Sequence, residues 1–90
     1  MGKTETISAI STPFGMGGLS VIRISGERAL SVSEKIFRGK VSLSGVPTHT
    51  AHVGTIVDPE SGQAIDQGVF TVFRAPHSYT GEDVVEVSCH

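Results

Sequence analysis

Two ionisable residues stand alone inside apolar, β-like runs: Arg23 in Val21-Ile22-Arg23-Ile24-Ser25 and Glu86 in Val84-Val85-Glu86-Val87-Ser88. A carboxylate accepts two parallel N–H bonds from a planar, amidine-like edge, as it does from arginine. A pterin or guanine ring offers such an edge. A guanidinium on a solvated strand face has no specific task, but on a closed face it needs a carboxylate or an anionic ligand, because an unpaired buried charge is very costly. The sequence alone leaves both readings of Arg23 and of Glu86 open. Around Glu86 the stretch Ser78-Tyr79-Thr80-Gly81-Glu82-Asp83-Val84-Val85-Glu86 gathers three carboxylates and several hydroxyls beside a glycine. So many acceptors contribute little to a core, and their density points to binding. Glu82 and Asp83, next to Gly81, are expected to cap or fix the loop more than to contact a ligand. An acidic element and a basic one, each on a strand beside a loop, can form two halves of one small-molecule site.

Other chemistry is poorly supported. Gly15-Met16-Gly17-Gly18 invites a phosphate-loop reading, but a Walker loop requires GxxxxGK[ST] leading into a helix, whereas Leu19-Ser20-Val21 follows here and enters a strand. The dinucleotide fingerprint fails for the same reason. That loop is either a flexible turn or a place where missing Cβ atoms let a flat ligand or a partner chain approach closely. His49, His52, His77 and His90 show no zinc-like spacing with Cys89, since a closed site needs four ligands in pairs. No nucleophile, base and orienting acid line up, so no catalytic residue and no metal ligand is assigned.

The elements that must position Arg23 and Glu86 are mostly strands. Glu5 to Ser11 alternates weakly and reads as a strand, broken by the proline and glycines of residues 12–18. Residues 19–25 form a second strand, with Val21, Arg23 and Ser25 on one face and Ile22 and Ile24 on the other. Ser25 or Gly26 is placed to cap a helix that Glu27 favours through the dipole. Ala29, Val32, Ser33 and Ile36 then recur at helical spacing, widened by Leu30 and Phe37, while Glu27, Arg28, Ser31, Glu34, Lys35 and Arg38 fill the wet face. Gly39 is expected as the left-handed C-terminal residue. After a polar connection over 40–48, residues 50–57 and 65–74 form a hairpin around Asp58-Pro59-Glu60-Ser61-Gly62. In its second strand Val69, Thr71 and Phe73 oppose Phe70, Val72 and Arg74. Residues 83–90 form a last strand, with Val84, Glu86, Ser88 and His90 on one face and Val85, Val87 and Cys89 on the other. The order β-β-α-β-β-β makes this an α+β (mixed α/β) domain, a small sheet with one well-defined helix.

The chain has 90 residues, 38% of them apolar, and 11 glycines, which suits one loop-rich globular domain or part of one. At this size folding buries only about 60–65% of the unfolded chain's surface. The net charge of −2 argues against tight, nonspecific nucleic-acid binding. The single cysteine excludes an internal disulfide and is compatible with a reducing compartment. No apolar run approaches the length of a membrane span or of a signal-peptide core. A cytoplasmic location is the expectation. The run that halts at His90 reads as a fragment of a longer protein, with an edge strand at a natural terminus as the alternative.

Together these segments resemble the N-terminal domain of the tRNA-modification GTPase family known as MnmE or TrmE. The matching pieces are residues 5–10 followed by Thr12-Pro13, then Gly15-Met16-Gly17-Gly18, Ile22-Arg23-Ile24-Ser25-Gly26, Asp66-Gln67-Gly68, and Ser78-Tyr79-Thr80-Gly81-Glu82-Asp83 with Glu86. Each is weak alone; the ordered combination is specific. Met16 departs from the arginine of many members, and the family continues beyond residue 90 with glycines and more of the same domain.

The resemblance implies that residues 1–90 are a truncated, folate-binding-like N-terminal domain that pairs two subunits into a homodimer. It also implies that 5-formyl-tetrahydrofolate or a related reduced folate sits near that interface, with Arg23 and Glu86 matching positions that contact it. The GTPase and helical domains, which use GTP, potassium and magnesium, would lie beyond this stretch. The resemblance further implies that the whole enzyme, with a flavin-dependent partner protein, would install (carboxymethyl)aminomethyl groups at C5 of the wobble uridine of tRNAs. A purely structural dimerisation module without a ligand is the principal rival. A small RNA-binding module fits the acidic balance badly.

Overall fold

Strand-forming sequence dominates this chain, and its apolar residues recur every second position, so one sheet organises almost everything else. The computed structural model describes residues 7–12, 20–76, 78 and 81–89, the first stretch in its backbone only. Six strands form one antiparallel sheet: β1 (Ile7–Thr12), β2 (Ser20–Ser25), β3 (Phe37–Arg38), β4 (Thr50–Val57), β5 (Ala64–Phe73) and β6 (Val84–Cys89). Their spatial order is β1-β2-β6-β5-β4-β3, so the last strand in sequence is inserted between β2 and β5 at the centre. One helix, α1 (Ala29–Ile36), and a 3-10 turn over Leu43–Gly45 complete the described architecture. The α+β expectation holds, as does the hairpin of β4 and β5, whose register runs from Thr50 opposite Val72 to Val57 opposite Ala64. Its turn is held by the Asp58 carboxylate, which accepts the Glu60 and Ser61 amides at 2.8 and 3.1 Å.

Alternation along the strands separates two faces. Ile24, Phe70, Val72, Val85 and Val87 are buried on one face, where Ala29 of α1 and Leu43 and Val46 of the following connection pack against them. Leu30, Val32, Ile36 and Phe37 extend that contact, as the helical spacing predicts. Phe37 and Phe70 meet edge to face, with ring centroids 4.8 Å apart. Gly54 makes this possible: a Cβ there would overlap the Phe37 ring.

The helix is shorter than its sequence pattern at both ends. At the start, Ser25 stays in the sheet opposite Val84, and the Gly26 amide donates to the Asp83 carbonyl at 3.0 Å. Gly26 adopts φ 134°, a region glycine tolerates, and the helix begins only at Ala29 with no side-chain cap. Neither Ser25 nor Gly26 therefore serves as the expected cap, and Glu27 lies outside the first turn. At the other end, Phe37 is extended (φ −110°, ψ 131°) and pairs with Ile56 as the two-residue strand β3, which the helical pattern concealed. Burying the Phe37 ring over Gly54 outweighs another helical residue, and Gly39 does not take the expected left-handed conformation.

The polar connection after β3 is tied down by two charged residues. Glu34, assigned to the wet face by its spacing, reaches back to accept the Leu43 amide at 2.7 Å and the Ser42 hydroxyl. It thereby caps the 3-10 turn and helps seat Leu43, which is fully buried. Just after β5, the Arg74 guanidinium donates to the carbonyls of Val46 and Ser44, both at 2.8 Å. Together they hold this connection against the sheet.

Candidate functional site

The opposite face of the same sheet carries no helix among the described residues. Arg23 and Glu86 meet there. β2 and β6 are adjacent and antiparallel, and their register sets these two residues directly across from each other. Arg23 Nε and Nη2 both donate to Glu86 Oε2, at 3.1 and 2.9 Å. The faces expected from alternation are the observed ones: Val21, Arg23 and Ser25 lie opposite Ser88, Glu86 and Val84. The charges separate neither to solvated edges nor into the core.

The pair is half-exposed, with side-chain exposures of 35% for Arg23 and 20% for Glu86. Exposed ion pairs contribute about 0–1 kcal/mol to stability, since side-chain entropy and screening offset most of the attraction. Stability therefore gives little reason to place two charges at the middle of a sheet face. Because both donors converge on Oε2, Oε1 accepts no hydrogen bond among the described residues. A carboxylate with one oxygen oriented by a guanidinium and the other facing outward suits a planar edge of N–H donors. The residues present fit a heterocycle of that kind.

The acidic loop behaves differently from its density of acceptors. Asp83 is a structural clamp: its carboxylate accepts the Ala75 amide at 2.9 Å while its carbonyl takes the Gly26 amide. The Ser78 hydroxyl donates to the Glu82 carbonyl, closing the turn in which Gly81 has φ 81°. Asp83 thus fixes the loop, as its place beside Gly81 suggests. His77, Tyr79, Thr80 and His90 lie outside the described residues, as does the glycine loop 15–18.

Other ionisable residues occupy local tasks. His49 stacks edge to face on Phe73, with centroids 5.2 Å apart, and His52 Nε2 lies 2.8 Å from the Thr50 hydroxyl. Among the described residues no three of His, Cys, Asp and Glu gather as a metal site. No helix among them is long and apolar enough to cross a membrane. The anchoring roles of Glu34 and Arg74 escaped sequence reasoning; the one available signal was Arg74 sharing a strand face with Phe70 and Val72, where a charge needs carbonyl partners.

Comparison with known proteins gives these features a family. A family model described as the GTP-binding protein TrmE N-terminus matches residues 6–90. The chain belongs to this TrmE N-terminal family. Among curated relatives, the tRNA modification GTPase MnmE of Lactobacillus acidophilus is 51% identical over 86 residues, covering 96% of this chain and 18% of the relative. Proteins of the same name from Enterococcus faecalis and Pediococcus pentosaceus are 52% and 54% identical over 96% of this chain, which covers 19% and 18% of them. This TrmE-family chain therefore spans less than a fifth of the length of those relatives. It corresponds to the N-terminal domain of tRNA modification GTPases.

Proposed function

We propose that this chain, residues 1–90, belongs to the reduced-folate-binding and dimerising part of a cytoplasmic tRNA-modification GTPase. The observation that carries the folate reading is the Arg23–Glu86 pair on the open sheet face, with Glu86 Oε1 left for a donor edge. In this reading Glu86 accepts the N–H donors of the pterin ring of 5-formyl-tetrahydrofolate. Arg23 orients the carboxylate and offers N–H groups to a carbonyl, a formyl oxygen or a tail carboxylate of the same ligand. The folate supplies the one-carbon unit when bound.

GTP hydrolysis, with potassium and magnesium, belongs to a different domain, since no GxxxxGK[ST] occurs in this sequence. The assembled homodimer works with a flavin-dependent partner protein to place (carboxymethyl)aminomethyl groups at C5 of the tRNA wobble uridine. Family membership and the names of the relatives support the tRNA-modification and GTPase parts of this reading.

Calorimetry with 5-formyl-tetrahydrofolate on the full-length protein tests the site. Arg23→Ala and Glu86→Ala each weaken binding by roughly 10- to 100-fold, the loss expected for a hydrogen bond to a charged group. Wild-type affinity in both variants removes the assignment. One observation favours the rival reading of a ligand-free dimerisation module: Val53 and Ile65 are 72% and 67% exposed, apolar surface suited to another chain. That rival requires a normal full-length dimer with no thermal shift on adding reduced folates.

A further inference from the structure

The open face holds a third polar side chain in line with the ion pair. β6 lies between β2 and β5, and the registers place Arg23, Glu86 and Thr71 in one row across three adjacent strands. At about 4.8 Å between neighbouring strands, the row extends about 10 Å, the scale of a bicyclic heterocycle. Thr71 is half-buried, and its hydroxyl has no hydrogen-bond partner among the described residues. On its far side the row continues to Ala51, whose small side chain leaves the approach open. Two positions away on either side of Thr71, Val69 and Phe73 share its face and give a ring an apolar floor.

Glu86 is approached unequally from its two flanks. Arg23 fills the β2 side and occupies Oε2. A ligand that donates to Oε1 without breaking the ion pair is therefore steered toward β5, where the first polar atom it meets is the Thr71 hydroxyl. A hydroxyl both donates and accepts, so it matches either kind of atom on the ring edge next to the donors held by Glu86. We propose that Thr71 is a ligand-contacting residue of this site, completing a cation–carboxylate–hydroxyl row that reads one edge of a planar heterocycle. The proposal rests on the folate reading above.

The test is calorimetric titration of the full-length protein with 5-formyl-tetrahydrofolate, comparing wild type, Thr71→Val, Thr71→Ser and Glu86→Ala. Thr71→Val keeps the branched shape and β preference while removing the hydroxyl; it weakens binding roughly 3- to 10-fold, as for loss of one neutral hydrogen bond. Thr71→Ser keeps the hydroxyl and stays within about twofold of wild type. Wild-type affinity in Thr71→Val, with binding lost in Glu86→Ala, overturns the role of Thr71 and leaves the folate site standing. Equal losses in the Val and Ser variants assign the effect to the methyl group and overturn it as well. If Thr71→Val does not fold, Thr71→Ala takes its place with the same expected loss. No binding by the wild type overturns both readings.

Discussion

On the helix side of the sheet, Ile24, Phe70, Val72, Val85 and Val87 are sealed beneath Ala29, Leu43 and Val46. One residue along the same strands, on the other side, stand Arg23, Thr71 and Glu86, all partly accessible, with Val53 exposed nearby. The two faces share every backbone hydrogen bond of the sheet, so the ladder cannot account for their difference. Side-chain chemistry and cover do. The covered face is apolar because its residues must leave water together, each fully buried large side chain contributing about 1.5–3 kcal/mol. The open face can carry charges because no helix among the described residues covers it, and a half-exposed ion pair costs little to keep. Packing precision thus resides on one face and recognition chemistry on the other, in alternate letters of VIRIS and VVEVS.

Substitutions that respect or violate this division sharpen it. Phe70→Ala empties the centre of the covered face and removes the partner of Phe37; it lowers unfolding stability by about 3–5 kcal/mol, read from urea denaturation of the full-length protein. Arg74→Ala strips the Val46 and Ser44 carbonyls of their donor and loosens the cover, costing about 1–3 kcal/mol in the same measurement. Glu34→Ala uncaps the 3-10 turn and costs about 0.5–2 kcal/mol. On the open face the order reverses. Arg23→Ala changes stability by only about 0–1 kcal/mol, and on the proposed reading its larger effect is on ligand affinity. Val53→Thr, on an exposed strand position, stays within about 0.5 kcal/mol of wild type. A large stability loss from Arg23→Ala, with Phe70→Ala nearly neutral, breaks the contrast.

Much of this arrangement was legible in the residues. Period-two alternation in 19–25, 65–74 and 83–90 assigns Arg23, Thr71 and Glu86 to one kind of face and Ile24, Phe70 and Val85 to the other. The turn chemistry of Asp58 to Gly62 announces the hairpin. Helix ends were misjudged for a specific reason: Phe37 satisfies the helical stripe equally well as a helical residue or as the first residue of β3. Pairing with Ile56 and the close approach of Gly54 to its ring decide between them, and those contacts join residues far apart in sequence. The spacing assigns Glu34 to the wet face and gives Arg74 no task, because their partners are carbonyls and amides that no side-chain pattern reveals.

By itself, the order of residues determined that strands would alternate, where they would turn, and which family the chain belongs to, since all of these depend on local spacing and on motifs in succession. It left open whether Arg23 and Glu86 would meet. That was decided by β6 entering the sheet beside β2, in the one register that sets residue 86 against residue 23. A shift of a single position would carry Glu86 to the opposite face, because neighbouring side chains on a strand point to opposite sides. Strand pairing across 63 residues depends on the whole core closing at once, and only the folded molecule sums those contributions.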